Sequence, residues 1–148
     1  MDETEDEVVR VHYGMTGSVP LTLVEFVFEP AGCYVLDCGS FTPLFGLTMG
    51  KHTRRAAAVD AVYREDGVGG LLAGANTVTW YAWDAVESIV LHDGGRFTRP
   101  KLTLQTRDDV PERAVRLHDV EVSSVYESLA ELAGGRTSLR RVDGAGLF

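Results

Sequence analysis

Between Trp80 and Leu132 the chain passes through three or four short stretches of alternating apolar and polar residues and then one amphipathic helix. No other feature narrows the fold as far. Along Val122, Val125, Tyr126, Leu129, Leu132 and Ala133 the apolar residues recur at helical spacing, while Glu121, Ser124, Ser128 and Glu131 occupy the opposite face. A helix with a single apolar side must bury it. The surface that receives it is a sheet built by the strands that precede it, and a curved sheet closed by a C-terminal helix is a common binding scaffold.

The strands assign themselves by alternation and by the turns between them. Val8 to Tyr13 reads as a short strand with Val9, Val11 and Tyr13 on one face, and Leu21 to Glu29 as a longer one rich in β-branched and aromatic residues. Glu29-Pro30-Ala31-Gly32 turns the chain into a third, Cys33 to Cys38, making a hairpin. Thr77–Ala82 and Ala85–His92 follow, with Asp93-Gly94-Gly95-Arg96 as a tight turn. A further strand begins near Pro100 with Leu102 and Leu104 inward, and after a turn from Arg107 to Glu112 another places Val115 and Leu117 inward. Between the third and fourth strands, Thr42-Pro43 is a helix start, and a middle helix runs to Glu65 on a stripe of Ala56, Val59, Val62 and Tyr63. Gly67, Gly69 and Gly70 are expected to end it, leaving Leu71 to Asn76 as a connection. Asp119 is positioned to cap the final helix and Gly134-Gly135 to stop it.

At 148 residues and 45% hydrophobic content the chain suits one domain with a real core, taken as 8–135 between an acidic tail, 1–7, and a flexible tail, 136–148. The net charge is −8. That balance opposes nonspecific attraction to nucleic acid and to anionic membranes over most of the surface. Of the 14 lysines and arginines only Lys51 and Lys101 are lysines. An acidic, lysine-poor chain resembles proteins of salt-accumulating archaea, although a GC-rich genome produces the same arginine bias. In molar salt the Debye length falls to about 3 Å, so contacts there depend on shape and apolar area. The acidic start is no signal peptide, and Lys51, His52, Arg54 and Arg55 interrupt the best apolar run, so a cytoplasmic protein without a membrane anchor is expected. Cys33 and Cys38 lie an odd number of positions apart, which puts them on opposite faces of one strand as packed, reduced thiols.

The segment from Trp83 to Leu91, then Pro100 to Leu104, then Val115-Arg116-Leu117 and the helix resembles the C-terminal half of prokaryotic PH-like (pleckstrin-homology-like) domains; the likeness spans residues 77–133 best. The resemblance implies an α+β fold, a small curved antiparallel sheet or partly open barrel with a C-terminal capping helix, here carrying an inserted middle helix, and a role in binding protein or membrane. The family's basic lipid-binding turn corresponds to Glu29-Pro30-Ala31-Gly32, which offers no cation. Phosphoinositide binding is therefore not implied.

Three functional readings remain. The first is a non-enzymatic interaction module whose tentative binding surface is Phe45, Met49, Lys51, Arg54 and Arg55, where an apolar glycine-containing turn adjoins the densest positive cluster of an acidic chain. Its partner is expected to be a protein, less readily a membrane surface, and not nucleic acid. The second is a small enzyme or metal protein using His92 and His118, each followed by an aspartate at a strand end. The third is a homo-oligomer paired through a sheet edge or the middle helix. No nucleophile elbow, P-loop, dinucleotide fingerprint or zinc-protease motif occurs, so neither catalytic residues nor a cofactor or metal site is assigned.

Overall fold

The computed structural model describes residues 8–17, 21–41, 49–94, 99–107, 113–118 and 120–142. The strands are β1 (Val9–Thr16), β2 (Leu21–Glu29), β3 (Gly32–Phe41), β4 (Thr77–Ala82), β5 (Val86–His92), β6 (Lys101–Thr106), β7 (Arg113–Leu117) and β8 (Ser138–Val142). Helix α1 spans Met49–Gly74 and α2 spans Val122–Ala133. The eight strands form one open sheet in the order β4-β3-β2-β1-β7-β6-β5-β8, antiparallel except for the parallel β5–β8 pair. This corrects the small, all-antiparallel sheet or barrel expected from the sequence. The sheet is larger, mixed, and extended by a strand in the region after Gly135 that reads as tail. Leu139, half-buried against the core, anchors β8 beside β5.

The sheet curves strongly. Phe28 on β2 stacks on Trp83, which directly follows β4, with ring centroids 6.2 Å apart. Arg113 of β7 reaches Thr79 of β4 although β3, β2 and β1 lie between those strands. Two apolar cores result, one on each face. The concave core gathers Phe26, Phe28, Val35, Ile89, Leu91, Leu102, Leu104 and Leu117, and α2 seals it with Val122, Leu129 and Ala133. Glu121, Ser124, Ser128 and Glu131 face solvent, as the helical periodicity predicts. The convex core lies under α1 and holds Tyr13, Met15, Leu23, Val27, Leu36, Ala56, Val59 and Leu71. Strand β2, sandwiched between both, is buried from Leu23 through Phe28.

Three local expectations change. Strand β1 does not keep Val9, Val11 and Tyr13 on one face: the first two enter the concave core and Tyr13 the convex one. The register against β2 slips between Val11 and Gly14, and Tyr13 adopts φ 68°, a left-handed bulge that moves the alternation to the other face. Helix α1 does not end at its glycines. Gly67, at φ 68°, kinks it, and a second arm continues to Gly74, burying Leu71 instead of leaving it in a connection. Val62 is correspondingly 38% exposed rather than part of the packing stripe. The N-cap of α2 is Glu121, and its side chain makes no capping bond. The proposed cap Asp119, the helix start at Thr42-Pro43, most of the two turns around Gly95 and Pro111, and residues 1–7 and 143–148 lie outside the described residues.

Cys33 and Cys38 are free and buried, one in each core, as their spacing requires. Burial pushes both thiols up to about 12, with Glu25 adding to the effect at Cys38. Thiols held that high are poor nucleophiles. Among the described residues, no helix is long and apolar enough to cross a membrane.

Candidate functional site

The positive cluster is described only in part. Phe45 lies outside the described residues, and Met49 and Lys51 belong to the first turns of α1. Arg54 and Arg55 are exposed, but the Arg55 Nε donates to the Cys38 carbonyl at 2.8 Å, fastening α1 to β3. Its guanidinium is committed in part to the fold.

The histidine pair is not assembled either. His92 ends β5 and His118 follows β7, with β6 between the two strands. His118 stacks on Tyr13 at 4.3 Å and its Nδ1 lies 2.9 Å from an Arg99 nitrogen. Among the described residues no three His, Cys, Asp or Glu side chains are placed to share a metal ion.

A polar network that periodicity did not reveal sits beneath α1. Glu25, fully buried on β2, accepts from Arg10 Nε at 2.8 Å and from the Tyr13 backbone N–H at 2.9 Å, and lies 2.5 Å from His12 Nδ1. Arg10 also bonds Asp60 of α1 at 2.8 Å and stands 4.4 Å over the Tyr63 ring. The Arg10 hydrogen bond, helped by Arg64, holds the Asp60 carboxyl below its usual 3.8 despite partial desolvation. The network clamps α1 to the sheet and is largely withdrawn from solvent. It reads as structural ion pairing, since every charge in it meets an opposite one.

Among the described residues, the β4 edge is an open surface. Alternation puts Tyr81 into the concave core and leaves Val78 and Trp80 on the outer face, each 41% exposed. Tyr34, directly across on β3, tilts against Trp80 with centroids 4.6 Å apart. Gly32 makes room for this arrangement: a Cβ there would stand 2.2 Å from the Tyr81 carbonyl oxygen and 3.0 Å from the indole. Strand β4, Thr-Val-Thr-Trp-Tyr-Ala, contains no charge and no proline, the devices that normally protect an edge. The other edge is guarded. Arg140 and Arg141 are exposed on β8, and Arg141 pairs with Asp93 at 2.9 Å. Strand β4 is visible in the sequence as an alternating segment, but β8 is not, and neither is the strand order that decides that β4 is terminal. No protein-family model matches this chain, and no curated protein matches it in sequence.

Proposed function

We propose that this chain is a non-enzymatic interaction module of the cytoplasm that binds a partner protein by accepting an extended segment beside β4. The observation that carries the reading is the pairing of an uncharged terminal strand with two of the three large exposed apolar side chains among the described residues, Val78 and Trp80. Strand addition draws affinity from main-chain hydrogen bonds and specificity from alternate side chains, and an indole beside the groove supplies an anchor. The resemblance of residues 77–133 to PH-like domains supports a binding role of the same kind. A net charge of −8 makes two copies repel each other and favours a partner segment that is apolar at alternate positions and basic at its ends.

The test is a selection of displayed linear peptides on the full chain, followed by fluorescence anisotropy with the peptide that emerges. Trp80→Lys and Val78→Lys should each weaken binding by about tenfold or more, the usual scale of an aromatic anchor, while the chain stays folded and loses no more stability than the Tyr34–Trp80 contact supplies, about 0.5–1.5 kcal/mol. A selected peptide that binds Trp80→Lys as well as wild type would overturn the proposal. A dimer seen by light scattering and lost in Trp80→Lys would assign the edge to a second copy instead.

A further inference from the structure

At the end of the curved sheet away from α2, the strands end in polar rather than apolar residues. Thr16 of β1, Thr22 of β2, Asp37 of β3, Thr77 and Thr79 of β4 and Arg113 of β7 surround a pocket of about 220 Å³. They continue the inward-facing rows that elsewhere supply Phe26, Tyr81 and Val115 to the concave core. Val24 and Val35 form the apolar floor.

Among the described residues, neither charge in this pocket is paired with an opposite one. The Arg113 guanidinium makes one long contact, 3.4 Å from an Nη to the Thr79 hydroxyl, and no carboxylate lies within 4 Å of it among the described residues. A half-buried arginine without an anion is unusual in a chain where 22 acidic residues face 14 basic ones. Asp37 accepts the Gly39 backbone N–H at 3.1 Å through one oxygen, and among the described residues no cation pairs with its carboxylate. The pocket therefore offers a fork of donors at one side, an acceptor-only carboxylate at another, and threonine hydroxyls that serve as either. A simple anion gains Arg113 but meets Asp37, and a simple cation meets the reverse. A small molecule bearing both charges satisfies both groups and brings no net charge to an acidic protein.

We infer that this mouth of the sheet binds a small zwitterionic amino acid, its carboxylate on Arg113, its ammonium on Asp37 and a short apolar side chain over Val24 and Val35. The volume corresponds to about seven waters, which suits alanine or a similarly small amino acid. This site shares Thr77 and Thr79 of β4 with the edge described above but uses their inward side chains, whereas the proposed partner would take the strand's outer face at Val78 and Trp80, and it does not depend on that partner.

The experiment is a titration of the full, isotopically labelled chain with L-alanine, L-lactate and ethylamine, followed by amide NMR shifts. L-Alanine should saturate with a Kd of about 1 mM, moving amides of Thr16, Asp37, Thr79 and Arg113, while L-lactate and ethylamine bind at least about tenfold more weakly. Arg113→Gln should abolish alanine binding, and Asp37→Asn should reverse the preference towards lactate. The wild-type titration is informative even if a variant fails to fold. No saturable shift with alanine, equal binding of lactate, or shifts at amides remote from the pocket would each overturn the inference.

Discussion

The buried carboxylate of Glu25 is the sharpest place to test how α1 is held. Its side chain is fully buried and that of Arg10 is 11% exposed, so each has exchanged water for the other at 2.8 Å. Removing one member of such a pair strands the other, at about 3–5 kcal/mol. Glu25→Leu belongs near the lower figure, because Arg10 keeps its bond to Asp60. Arg10→Met belongs near the upper one, because Glu25 then keeps only the Tyr13 N–H and His12. In the double variant no charge is stranded, and the remaining defect is the Tyr13 N–H, an unpaired donor worth about 1–3 kcal/mol. The double variant should be no less stable than Arg10→Met, giving a coupling energy of at least about 3 kcal/mol. Equilibrium urea unfolding measures this, with an unchanged m-value showing that the same surface is exposed in every variant. Single losses that simply add in the double variant, within about 0.5 kcal/mol, would refute the ion-pair argument.

Leu129→Ala, at the fully buried centre of the α2 stripe, should cost about 2–5 kcal/mol in the same assay. Glu131→Ala, on the exposed face, should stay within about 0.5 kcal/mol of wild type. Asp60 has a folded pKa depressed below 3.8, so the stability it contributes is present above that pH and is lost as pH falls through the folded value. The stability difference between wild type and Asp60→Asn should therefore be largest near neutrality and close on acidification; a constant gap in pH-dependent urea unfolding would contradict it. Cys33 and Cys38, both pushed up to about 12, should resist iodoacetamide at pH 8 in the native state and react together on unfolding, as mass spectrometry would show.

Much of the local structure was legible because the apolar period reports burial directly. The bounds of β2 and β4 and the packing face of α2 follow from alternation, and the opposed cysteines follow from parity. What escaped depends on contacts between distant segments. β8 has only Leu139 turned inward, too little pattern to separate it from a tail until β5 is beside it. Gly67 reads as a stop, yet Leu71 gains enough burial against the convex core to resume the helix after the kink. The bulge at Tyr13 hides because a face switch preserves the same sequence period while reversing its meaning. Polar residues of the open mouth, Thr22, Asp37, Thr79 and Arg113, come from four strands and share no sequence spacing at all. Only the curvature brings them together.

The two cores differ in how much of the chain must exist before they can close. Among the described residues, every apolar side chain of the convex core comes from residues at or before Ala75, so the hairpin, β1 and α1 can bury most of their apolar surface while the remainder is still being synthesised. The concave core cannot, because its central joint pairs Gly14 with Leu117 and its seal is α2. Until those arrive, the inner face of β2, with Phe26 and Phe28, stays uncovered on an otherwise structured half. A growing chain of this protein thus passes through a stage with one finished side and one adhesive side, and its yield depends on how quickly the second half reaches the first.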